Sequence, residues 1–208
     1  MVKTKLYNKL LNYNFEKLFE QKHYAYFTRG EYNLNIIGVR KDNKNKVTNL
    51  YDDYIVVIYD TPTTSKRAIF SVTTEPGLFY MNNPLNKKGT AILVPGQYRG
   101  CWQIALHKGK YKALCQRKPV KVYRDNNKND IYDLSPEKID KGIFGINIHR
   151  SSPFVDSSKV DKYSAGCQVF QSPSAFISFM RLCEEQRSRY GNSFTYTLLD
   201  ESELYEIL

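Results

Sequence analysis

Apolar side chains at Leu6, Leu10, Leu11, Phe15, Leu18 and Phe19 recur at spacings of one, three and four, which predicts an amphipathic helix over residues 6 to about 22. The next block, 24–49, is rich in Asn and Lys and predicts one short strand at 35–39 running into the polar turn KDNKNK. The pattern then changes to β-branched and aromatic runs at 54–59, 67–73, 90–94, 101–106 and 120–123. Their dividers are rich in turn formers: Thr61-Pro62, Glu75-Pro76-Gly77, Pro95-Gly96 and Lys108-Gly109-Lys110. Strands at this spacing build a sandwich or a barrel. Residues 124–141 are polar and read as a surface loop, and strand character returns on either side of a loop between 142 and 169. Ser172-Pro173 offers an N-cap and a proline at the first helical position. The helix it predicts runs to about residue 189, with Phe176, Ile177, Met180 and Cys183 on one face and Gly191 beyond its end. A last strand is expected at 193–199.

Composition narrows the class. With 208 residues, 41% hydrophobic and 25% charged, the chain can build a core, as one domain with an appendage. The longest apolar run, Tyr54-Ile-Val-Val-Ile-Tyr59, is far short of the roughly 20 residues a bilayer requires, so no transmembrane segment is expected. The N-terminus is charged throughout and lacks the apolar stretch of a signal peptide, which places synthesis in the cytoplasm. The net charge of +10 favours an anionic partner. Ten Lys/Arg against four Asp/Glu in the first fifty residues concentrate that excess in a basic N-terminal extension. Its aromatic residues would suit packing on a sheet as well as stacking on single-stranded nucleic acid, and a nucleic-acid partner is not expected. Four cysteines without a CxxC pair, and only three histidines, argue for free thiols and against a metal site; no cofactor is expected.

One stretch concentrates reactive residues among turn formers: GINIHRSSPFVDSSKVDKYSAGCQVF, residues 145–170. His149 ends one strand-like run and Cys167 opens another, so both side chains would stand at adjacent strand ends facing one cleft. An imidazole that takes a thiol's proton makes it a nucleophile. Gly166 has no Cβ to hold a substrate away, and the N–H groups of Gly166 and Cys167 would receive an oxyanion.

These residues resemble the L,D-transpeptidase catalytic domain, also called the YkuD-like domain. That family's signature is a histidine, a loop, then Ser/Thr-His-Gly-Cys; here His149 is followed by fourteen residues and then Ser164-Ala165-Gly166-Cys167. The segment from Lys88 to Tyr98 and the hairpin over 54–73 also resemble family features, so the likeness covers residues 50–170 or so. It implies a mainly β (α+β) chain: an L,D-transpeptidase-like β-sandwich with an N-terminal amphipathic helix and a helix after the cysteine. The division it suggests is a basic extension over 1–49 and a catalytic domain over 50–208. By the same resemblance Cys167 attacks a carbonyl of a peptidoglycan stem peptide to give a thioester. His149 is the base, the backbone carbonyl of Arg150 orients its ring, and Ser164 and Gly166 complete the catalytic set. Ala165 stands where the family has a second histidine, and Val169 where it has a polar residue, so Arg150, Gln168 and Asn147 are the candidates for substrate binding. Hydrolysis is preferred to transpeptidation. An Asn/Lys/Tyr-rich chain of this kind also resembles a bacteriophage lysin, released by a holin or carried in a virion. The alternative is a structural or cell-wall-binding protein that keeps the fold without the reaction.

Overall fold

A computed structural model describes residues 4–205; the ends of the two expected divisions, 1–3 and 206–208, lie outside the described residues. Eleven strands form: β1 (Asn35–Arg40), β2 (Asp53–Asp60), β3 (Ser65–Thr73), β4 (Thr90–Leu93), β5 (Gly96–His107), β6 (Tyr111–Gln116), β7 (Val120–Asp125), β8 (Ile139–Gly142), β9 (Ile148–Arg150), β10 (Gln168–Phe170) and β11 (Phe194–Asp200). The helices are α1 (Lys5–Asn12), α2 (Phe15–Gln21), α3 (Leu78–Asn82) and α4 (Pro173–Tyr190).

Eight strands close into a barrel in the order β1-β11-β5-β6-β9-β10-β3-β2, and β4-β7-β8 form a small sheet beside it. The expected sandwich is thus corrected to a closed barrel. Closure depends on pairings between strands distant in sequence, among them β1 running parallel to β11 and β10 running antiparallel to β3. With β1 bonded to β2 on its other edge, residues 35–40 belong to the barrel wall, so the expected boundary at residue 49 falls inside one folded unit.

The unbroken apolar runs of β1 and β2 have a cause. Strand side chains alternate between faces, and here both faces are covered. Ile36, Ile55 and Val57 join Trp102, Leu114, Ile148 and Tyr196 in the barrel core, to which α4 adds Phe176, Phe179, Met180 and Cys183. Ile37, Val39, Val56 and Ile58 face outward and pack against Leu6, Leu10, Phe15, Leu18 and Phe19 of the N-terminal helices. The aromatic rings of that segment are therefore spent on the barrel's outer wall; Phe15 and Phe19 are each 1% exposed.

The single helix expected over 6–22 is two helices. Tyr13 is extended, Asn14 caps the second helix through a hydrogen bond from the Lys17 N–H to Oδ1 (3.0 Å), and Arg67 of β3 donates to the carbonyls of Leu10 and Tyr13 (2.6 and 2.9 Å). Strand β6 and strand β8 lie where no strand was expected, the latter inside the polar segment 124–141. On α4, Phe179 rather than Ile177 completes the buried face, Ile177 being half exposed.

Candidate active site

β9 and β10 are parallel neighbours, in register Ile148↔Gln168 and His149↔Val169. The Gln168 N–H donates to the Asn147 carbonyl at 2.9 Å, which sets Cys167 beside Asn147. Two residues further along the same face stands His149. Cys167, Asn147 and His149 line one cavity of about 520 Å³, bordered by β4, the β5–β6 turn and the loop before β10. Lys108 and Lys162 line it as well, with Arg124, whose guanidinium is paired with Asp140 at 3.3 Å; among the described residues no Asp or Glu lines it. That lining favours a ligand carrying carboxylate.

His149 is nearly buried, and its Nδ1–H donates to the Arg150 carbonyl at 2.8 Å. Only a protonated Nδ1 satisfies that acceptor, so Nε2 carries the lone pair. The Tyr111 hydroxyl donates to the same carbonyl at 3.3 Å. Burial first, and the neighbouring His107 second, push the imidazole's pKa down to about 3. The Cys167 thiol donates to the Gly145 carbonyl at 3.3 Å and accepts from the Asn147 N–H at 3.4 Å. Burial raises it to about 11, against the opposing pull of the Asn147 N–H and of Lys108. At neutral pH the site therefore holds a neutral thiol and a neutral imidazole, and no hydrogen bond joins them among the described residues.

The remaining expected residues fall elsewhere. Gln168 points into the barrel, fully buried, where Oε1 accepts from the Tyr196 hydroxyl at 2.9 Å and Nε2 donates to the Gly166 carbonyl at 3.3 Å; it cannot touch a ligand in the cavity. The strand alternation that turns Cys167 outward turns its neighbour inward. The Arg150 guanidinium lies over the Tyr111 ring, 4.3 Å from its centroid, in a separate groove against α4, so it binds nothing in the cavity of Cys167. Ser164 braces the turn: its hydroxyl donates to the Cys167 carbonyl (2.8 Å) and accepts the Gly166 N–H (3.2 Å). That bond occupies one of the two N–H groups expected to receive an oxyanion, that of Gly166. The glycine at 166 is required for another reason than substrate access. Its φ is +119°, and a Cβ there would sit 2.2 Å from the carbonyl oxygen of Ala91 on β4.

His107 was not among the expected site residues, and the structure places it in the site. It ends β5, is 6% exposed, and stacks on His149 with ring centroids 4.2 Å apart and planes 22° off parallel. The sequence marks only its place beside the turn Lys108-Gly109-Lys110. Lys108-Gly109 forms a tight turn with both φ angles positive, +50° and +69°, closed by the Lys110 N–H on the His107 carbonyl, and this pairs His107 with Tyr111 across the hairpin. Asn147 serves this residue rather than a substrate: Oδ1 accepts the Gln116 N–H at 2.9 Å, so Nδ2 is the atom that meets His107 Nδ1 at 3.1 Å.

No protein-family model matches this chain, nor does any curated protein or solved structure.

Proposed function

We propose that the chain is a cysteine-dependent acyl-transfer enzyme acting on peptidoglycan stem peptides, with water preferred as the acceptor. The observation that carries this reading is the meeting of Cys167 and His149 in one cavity, with the imidazole held by the Arg150 carbonyl in the tautomer that leaves Nε2 basic. In the first half-reaction His149 Nε2 takes the thiol proton, the sulfur–carbon bond forms, and the carbonyl becomes an oxyanion. Collapse breaks the carbon–nitrogen bond, and the proton passes from Nε2 to the departing amine, leaving a thioester. Water then repeats the sequence, with His149 again accepting the proton. The sulfur–carbon bond breaks, the proton returns from Nε2 to the Cys167 sulfur, and the carboxylic acid product leaves and ionises to a carboxylate. The positive lining fits stem peptides, whose ends and side groups carry carboxylates.

The test is incubation with tri-, tetra- and crosslinked muropeptides, read by mass spectrometry. Shortened or uncrosslinked products are expected, absent in Cys167→Ala and reduced by about 100-fold or more in His149→Ala. Products of increased mass would make the acceptor an amine instead. A second reading, a binding protein without turnover, is favoured by the thiol hydrogen resting on Gly145 and the occupied Gly166 N–H. Retention of muropeptides without any change in their mass would establish it.

A further inference from the structure

We propose that His107 is a second catalytic residue: its Nε2–H donates to the carbonyl oxygen of the bound acyl group and stabilises the oxyanion formed when Cys167 attacks. The inference rests on Cys167 being the nucleophile of the reading above. It starts from a donor and an acceptor that cannot be exchanged. The backbone N–H of Gln116 needs an acceptor and finds Asn147 Oδ1 at 2.9 Å. The amide nitrogen is therefore turned to His107 Nδ1, at 3.1 Å, and being a donor it requires Nδ1 to be bare. A neutral imidazole bare at Nδ1 carries its proton on Nε2. His149 is fixed in the opposite tautomer by the Arg150 carbonyl. Two stacked rings thus offer one cavity an Nε2 lone pair and an Nε2–H.

Both nitrogens are free for a ligand. No protein group bonds to either among the described residues, and neither is among the buried side-chain atoms left without a partner, so both reach the solvent of the cavity their rings line. A side-chain donor would also replace one of the two backbone N–H groups expected at the oxyanion, because that of Gly166 is already bonded to Ser164 Oγ. A neutral imidazole places no full positive charge against His149, so it does not further weaken that ring as a base. Burial, followed by the charge of Lys108, keeps His107 neutral by lowering its pKa. In the step itself His107 transfers no proton. The thiol proton goes to His149, the sulfur–carbon bond forms, the π electrons of the carbonyl move to oxygen, and the His107 N–H hydrogen bond shortens onto that oxygen.

Two reactions of Cys167 separate this role from others. Acetylation by p-nitrophenyl acetate passes through an oxyanion, whereas alkylation by iodoacetamide does not. His107→Phe keeps a ring against His149 and removes the N–H; His107→Gln keeps an N–H. The expected result is acetylation of Cys167 slowed by at least about tenfold in the Phe variant, with partial recovery in Gln. Alkylation should stay within about threefold of the parent in both. Equal losses in both reactions would overturn the assignment, because His107 would then act through the thiol or the fold. Unchanged acetylation in the Phe variant, or a parent protein not acetylated at Cys167, would overturn it as well. Acetylation that behaves as expected while every muropeptide is left intact would refute the peptidoglycan reading and leave His107 as the oxyanion donor.

Discussion

At the scale of single residues, the site is governed by desolvation. His149 and Cys167 are both displaced away from their charged forms, to about 3 and about 11, by burial as the largest cause. For the thiol this predicts a rate of iodoacetamide alkylation that climbs about tenfold per pH unit from neutrality to about pH 10. A plateau beginning near neutral pH would instead indicate a preformed thiolate–imidazolium pair. For the imidazole the sign of the stability effect follows from proton uptake. The unfolded chain binds a proton at His149 below about 6.5, and the folded chain does so only below about 3, so folding stability should fall as pH drops through that window. Urea denaturation across pH 3 to 7 checks this, and His149→Gln should flatten the dependence. Gly166→Ala makes a separate demand. With φ at +119° and the Ala91 carbonyl 2.2 Å from the added Cβ, it should destabilise the protein by about 2 kcal/mol or more and disturb the cysteine loop whatever the reaction is.

At the scale of elements, β9 and β10 are only three residues each and depend on what lies beneath them. Gln168 is locked to the Tyr196 hydroxyl, and that ring packs over Gly38 of β1, where a Cβ would come within 1.8 Å of the hydroxyl oxygen. Gly38→Ala should therefore push Tyr196 off Gln168, with a loss of about 1–3 kcal/mol in thermal or urea unfolding and reduced turnover at Cys167. The sequence made the local parts of this arrangement visible. Alternating and β-branched runs marked most strands, Ser172-Pro173 marked the start of α4, and His149, the loop and Ser164-Ala-Gly-Cys167 marked the ends of the strands that carry the thiol and the imidazole. What it hid depends on pairing between distant segments. Tyr111–Gln116 is too polar in its flanks to stand out as a strand until β5 and β9 border it, and His107 has no local feature that separates a surface histidine from one stacked on another imidazole. Likewise Arg150 and Gln168 look like polar residues beside a site, and only the alternation of β9 and β10 sends them elsewhere.

At the scale of the whole molecule, the barrel is closed by its first and last strands: β1 lies against β11, and the helices that precede β1 cover the outer face of β1 and β2. Leu10, Phe15, Leu18 and Phe19 are each at most 1% exposed, so each is worth about 2 kcal/mol of burial. Removal of residues 4–22 would expose these wall positions and exceed a sizeable share of the stability of an ordinary domain. The truncated chain should bind a hydrophobic dye and lose its cooperative thermal transition; an unchanged transition would mean that the helices are an independent appendage. No helix of the described residues is long and apolar enough to cross a membrane. The net charge of +10 is concentrated partly around the cavity, where Lys108 and Lys162 stand without a lining carboxylate. The most direct test of the central claim is acid-quenched intact-mass spectrometry of the protein during reaction with a tetrapeptide stem. The account predicts a transient acyl adduct on Cys167 that accumulates when water attack is slowed and is missing in Cys167→Ala. Product formation that persists in Cys167→Ala, or a complete absence of both adduct and product, would contradict it.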